Sequence, residues 1–127
     1  MKKLYHFSMS PFCRKVRIAL AEKRVEFSLV EIRPWERSLE LLKLDPASEV
    51  PVLLEDDGEA IADHVAICEY LNEAYEEPLL LSGDAREKAE IRRLVAWFDR
   101  KFHNEVFNHI VGEKLLKRMR GEGSPDS

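Results

Sequence analysis

The chain has 127 residues, 45% hydrophobic and 35% charged, with a formal net charge of −4. That is enough for one compact domain with an appendage and a real core, and it excludes a basic face for nucleic acid or anionic membrane. No apolar run approaches the ~20 residues that span a bilayer, and no apolar signal region opens the chain.

In chain order, residues 3–7 read as a strand and residues 11–23 as a helix with Arg and Lys on its outer face. Residues 26–30, with alternating apolar positions, read as a second strand. Residues 35–44, carrying Leu39, Leu41, Leu42 and Leu44, read as a short helix stopped by Asp45-Pro46. Residues 50–54 and 60–62 flank Asp56-Asp57-Gly58 and read as a β-hairpin. Asp63 then caps a helix whose apolar face is Val65, Ala66, Ile67, Tyr70 and Leu71, broken by Glu76-Glu77-Pro78. The order β-α-β-α-β-β-α predicts a mixed sheet covered by helices, with a parallel first pair and an antiparallel hairpin.

From Asp84 onward the pattern is all helix. Ala89, Ile91, Leu94, Val95, Trp97, Phe98 and Phe102 recur at helical spacing, and Val106, Phe107, Ile110, Val111, Leu115 and Leu116 continue it. One or two helices cannot bury so wide a stripe alone. The expectation is an all-α domain cut off early; burial against another chain is the alternative. Residues 121–127 read as a loop or frayed tail.

Chemistry concentrates in Ser10-Pro11-Phe12-Cys13, at a helix N-terminus where free N–H groups and the dipole stabilise an anion. Ser with Pro after it is equally an ordinary helix start. A redox Cys-x-x-Cys would have its first, attacking sulfur at Ser10; with oxygen there, dithiol exchange is not available. Cys13 reads either as a somewhat acidic, accessible thiol or as a small residue facing the sheet, and the second is preferred. Cys68 reads as core packing. Two cysteines make no disulfide framework, so a reducing, cytoplasmic location is expected. The four histidines fall at no recurring metal spacing, and no metal site is expected.

The Ser10-Pro11 helix start backed by Val16, Arg17 and Leu20, the Val50-Pro51-Val52-Leu53 turn and the run from Asp63 to Leu71 resemble the glutathione S-transferase superfamily. The resemblance implies a thioredoxin-like domain over residues 1–78, followed over 84–127 by the start of the family's all-α domain. It puts Ser10 at the catalytic position, donating to the glutathione sulfur and favouring the thiolate. It makes Pro51 a cis-proline that frees the backbone of Val50 to pair with glutathione like a short strand. Asp63 and His64 fall where the family has an acid followed by Ser or Thr holding the γ-glutamyl end. His64 departs from that pattern and is larger than a hydroxyl, so it is expected to crowd or refit the subsite. Lys43 and Arg14 are candidate cationic contacts, with solvated surface charge as the competing role.

Further motifs are similar to the α-proteobacterial branch that includes the FtsZ-binding protein FzlA: Pro34-Trp35-Glu36-Arg37, Ala89 to Phe98, Glu113-Lys114 and Ser124-Pro125-Asp126-Ser127. Two functions follow from the resemblance. One is a glutathione transferase acting on a small electrophile as a homodimer. The other is a non-catalytic scaffold for a cell-division or transcription-associated protein partner, with Trp35 as a candidate contact. Fold does not choose between them.

Overall fold

A computed structural model describes residues 1–36, 38–75 and 77–105. The expected helical positions from Val106 to Leu116 and the tail lie outside the described residues. The chain divides into two units, Met1–Leu80 and Leu81–Ser127.

The first unit begins with strand β1 (Lys2–His6), helix α1 (Pro11–Glu22) and strand β2 (Phe27–Glu31). β1 and β2 pair in parallel, Leu4 opposite Leu29, as a strand-helix-strand crossover requires. Helix α2 (Leu39–Leu44), strands β3 (Val52–Leu54) and β4 (Ala60–Ala62) and helix α3 (His64–Ala74) follow. β3 runs antiparallel to both β1 and β4, and the sheet order is β2-β1-β3-β4. This is the mixed arrangement that the element order predicts and the thioredoxin-like fold that the resemblance implies.

Strand alternation sorts the core onto two faces. Leu4 and Leu53 point to one side, where they pack with Val16, Ala19 and Leu20 of α1 and Ile67 and Leu71 of α3. Tyr5 and Val52 point to the other, against Ile32 and Leu41. Burying each leucine contributes roughly 1.5–3 kcal/mol. The Tyr5 hydroxyl donates to Glu40 Oε1 at 2.7 Å; burial, with help from Glu40, pushes its pKa up to about 12.

Three local expectations need correction. The helix expected over 35–44 is two pieces, a 3₁₀ turn at Pro34–Glu36 and then α2. Ser38 divides them, because its hydroxyl accepts from the backbone N–H of Leu41 and starts a fresh helix. Val65 and Ala66, in the first turn of α3, are exposed, and only Ile67 and Leu71 of that face are fully buried. Lys23 is not on an outer face: it is 4% exposed, caps α1 and donates to the carbonyl of Tyr75.

The second unit opens on a capping box. Asp84 accepts from the backbone N–H of Glu87, whose carboxylate reaches back to the N–H of Asp84. Helix α4 (Ala85–Lys101) follows, and none of its residues is buried. Ile91, Leu94, Val95, Trp97 and Phe98 are all exposed along it, as is Phe102 at its end. No helix among the described residues is long and apolar enough to cross a membrane.

Candidate functional site

Three chain segments meet around a cavity of about 280 Å³ in the first unit. Phe12 comes from the first turn of α1; Asp45, Ala47, Glu49, Val50 and Pro51 come from the segment between α2 and β3; Ala62, Asp63 and His64 come from the β4–α3 junction. The site thus sits where two helix N-termini and one turn converge, each with backbone N–H groups directed outward from its helix.

Ser10 is the N-cap of α1, with Pro11 at the first helical position. Its Oγ accepts from the backbone N–H of Cys13 at 3.3 Å, which leaves the hydroxyl proton to donate elsewhere. Ser10 does not itself line the cavity; Phe12, two residues on, does. Cys13 is fully buried, and its sulfur accepts from the N–H of Phe7 at 3.5 Å. Burial pushes the Cys13 thiol up, against smaller opposing hydrogen bonds. An acidic, accessible thiol is therefore not what this position provides. Cys68 is half-buried against the main apolar cluster.

The Val50–Pro51 peptide bond is cis. Pro51 is buried, and no hydrogen bond joins the backbone of Val50 to another described residue. Asp63 caps α3, its Oδ2 accepting from the N–H of Ala66 at 3.1 Å, with its own backbone at φ +78°. His64, the first residue of α3, lays its ring on that of Phe12, with centroids 4.2 Å apart and planes 18° from parallel.

Lys43 is exposed in the last turn of α2 and, like Arg14, is not among the residues lining the cavity. The lining residues that went unrecognised in the sequence include two acids, Asp45 and Glu49. Asp45 organises the segment, accepting from the N–H groups of Ala47 and Glu49 at 3.3 and 3.4 Å. The available signal was an aspartate at a helix stop, four residues before another acid. With Asp63 they make three carboxylates around one cavity, and no lysine or arginine is among the described residues that line it. They do not converge as a metal would require: no His, Cys, Asp and Glu cluster among the described residues could hold an ion. Trp35 stands edge-on to Phe7, with centroids 5.4 Å apart and planes at 86°.

Residues 4–79 match the family model for the glutathione S-transferase N-terminal domain. The chain belongs to the glutathione S-transferase family. A solved glutathione S-transferase from Rhodospirillum rubrum F11 is 56% identical with a TM-score of 0.94, over 99% of this chain and 57% of that one. FtsZ-localized protein A of Caulobacter vibrioides is 44% identical over 97% of this chain and 55% of its own. A glutathione S-transferase from Methylobacillus flagellatus, solved with glutathione bound, is 30% identical with a TM-score of 0.74, over all of this chain and 60% of that one. The chain thus spans a little over half the length of these family members.

Proposed function

We propose that the cavity binds glutathione and that Ser10 stabilises its thiolate for attack on a small electrophile. The observation that carries this reading is the meeting of the Ser10-capped α1, the cis Val50–Pro51 turn and the Asp63-capped α3 around one cavity. The backbone of Val50 offers a donor and an acceptor to an extended peptide, in the manner of strand addition. A hydrogen bond from Ser10 Oγ to sulfur favours the charged form, and each unit of pKa lowering corresponds to roughly 1.4 kcal/mol. Residues 1–78 are the glutathione-binding domain in this reading, and residues 84–127 begin an all-α domain that lines the electrophile side. The protein works in the cytoplasm as a homodimer, with no metal.

Calorimetric titration of glutathione tests the proposal, with the thiolate followed by ultraviolet absorbance. Wild type binds at millimolar or tighter affinity and lowers the thiol pKa. Ser10→Ala binds comparably but leaves that pKa where it is in free glutathione. A folded wild type that does not bind glutathione overturns the reading.

A second reading is favoured by the 44% identity to FtsZ-localized protein A. In it the fold presents a surface to a protein partner such as FtsZ and glutathione chemistry is secondary. Co-sedimentation with FtsZ filaments, unaffected by Ser10→Ala, would support it.

A further inference from the structure

Ser10 closes a four-residue turn, its backbone N–H donating to the carbonyl of Phe7 at 3.0 Å. Within that turn stands Ser8, whose backbone N–H and hydroxyl both donate to Glu31 Oε1, at 3.1 and 3.0 Å. The other oxygen of the same carboxylate lies 3.1 Å from His6 Nε2. A carboxylate only accepts, so the His6 nitrogen that faces it carries the proton. The His6 ring is 3% exposed, fixed by the core around it, and it orients the carboxylate in turn. Glu31 is thus held from the core on one side and holds the turn on the other. We propose that Glu31 is a positioning residue for Ser10: it governs where the Ser10 hydroxyl points, and so how well that hydroxyl stabilises a thiolate.

The inference rests on the glutathione reading and deepens it. In that reading the sulfur is placed by the Val50–Pro51 turn beside β3, whereas Ser10 is placed by the turn after β1. The two placements must agree closely, because a hydrogen bond weakens steeply once its distance and angle are wrong. The bond from the N–H of Cys13 to Ser10 Oγ, at 3.3 Å, ties the hydroxyl to α1. A weaker tie runs from the N–H of Phe7 to Cys13 Sγ at 3.5 Å, since sulfur is a poor acceptor. Glu31 ties the turn to the sheet itself. It ends β2, which pairs with β1 residue for residue from Lys2 and Phe27 to His6 and Glu31. An anchor that served stability alone would leave the bound thiol unchanged, and that difference is measurable.

The test is the pKa of the bound glutathione thiol, followed by ultraviolet absorbance against pH. Wild type is compared with Glu31→Gln, Ser8→Ala, Ser10→Ala and the double variant Ser10→Ala/Glu31→Gln. Calorimetric titration gives each affinity, and circular dichroism checks folding. The amide of glutamine presents a donor where one of the two carboxylate oxygens accepts, so Glu31→Gln cannot serve His6 and Ser8 together. It binds glutathione within about twofold of wild type, while the bound thiol pKa rises by about half a unit, a roughly threefold smaller thiolate fraction below that pKa. Ser8→Ala, at an exposed position, keeps the backbone bond and shows a smaller rise in the same direction. With Ser10→Ala in place, Glu31→Gln moves the pKa no further, because its effect passes through the hydroxyl. A wild-type thiol pKa in Glu31→Gln, or in Ser8→Ala if Glu31→Gln does not fold, overturns the inference and leaves the glutathione reading intact. An equal rise with and without Ser10 does the same. A folded wild type that binds no glutathione overturns both.

Discussion

His6 and Glu31 are register partners across the parallel β1–β2 pair, and their side chains meet with Nε2 3.1 Å from Oε2. The same carboxylate receives the backbone N–H and the hydroxyl of Ser8 through its other oxygen, at 3.1 and 3.0 Å. One glutamate therefore ties the end of β1 to the turn that leads into Ser10.

The His6 side chain is 3% exposed, and burial lowers its pKa, with Glu31 opposing in part. In the unfolded chain imidazole returns to about 6.5. Below that value the unfolded state binds more protons than the native one, so stability is full above about pH 6.5 and declines as pH falls toward the folded value. Thermal unfolding from about pH 7.5 to 5 should show a falling Tm in wild type and a shallower fall in His6→Gln. Parallel curves for the two proteins would refute the assignment.

Asp63 holds φ at +78°, a backbone position that favours glycine, while its carboxylate caps α3. Asp63→Ala loses the cap and keeps the strained backbone, whereas Asp63→Gly loses the cap and fits the backbone. We expect Asp63→Ala to be less stable than Asp63→Gly by about 1–2 kcal/mol in urea unfolding. Equal stabilities would mean that the backbone position costs nothing.

Cys13 is buried with its thiol pKa raised, and Cys68 is half-buried. Native protein treated with an aromatic disulfide reagent should titrate Cys68 first, with Cys13 at least ~10-fold slower and released on denaturation. Cys13→Ser should leave the fast phase unchanged. A fast phase that vanishes in Cys13→Ser would reverse the assignment.

The apolar residues of α4 are all exposed, Phe98 at 60%. A patch of this kind on a folded chain binds other apolar surface. The 127-residue chain should bind a hydrophobic dye and show concentration-dependent association, and Phe98→Asp should weaken both. A strictly monomeric protein that binds no dye would contradict this.

The strands, α1, the hairpin and α3 were legible because periodicity, caps and turn residues agree at each: Ser10 and Pro11, Asp57 and Gly58, Asp63. The break at Ser38 was harder, since Trp35 and the four leucines from 39 to 44 read as one helical run, and a single hydroxyl separates the 3₁₀ turn from α2. The burial of Lys23 was illegible. It depends on the carbonyl of Tyr75, 52 residues away, arriving beside the end of α1. The site was legible as three motifs, Ser10-Pro11, Val50-Pro51 and Asp63-His64. Its electrostatic character was not, because Asp45 and Glu49 belong to no motif, and the Phe12–His64 stack exists only once two helix starts are brought together.

The cavity has no wall of its own: α1, the segment before β3 and the β4–α3 junction each supply a part. Anything lodged there fastens three separate stretches of backbone at once. Occupancy should therefore slow hydrogen exchange in the central strands β1 and β3, whose amides open only when those stretches part, and not merely at the contact residues. A molecule held there would act as a stitch through three parts of the chain, and its grip would be read deep in the core.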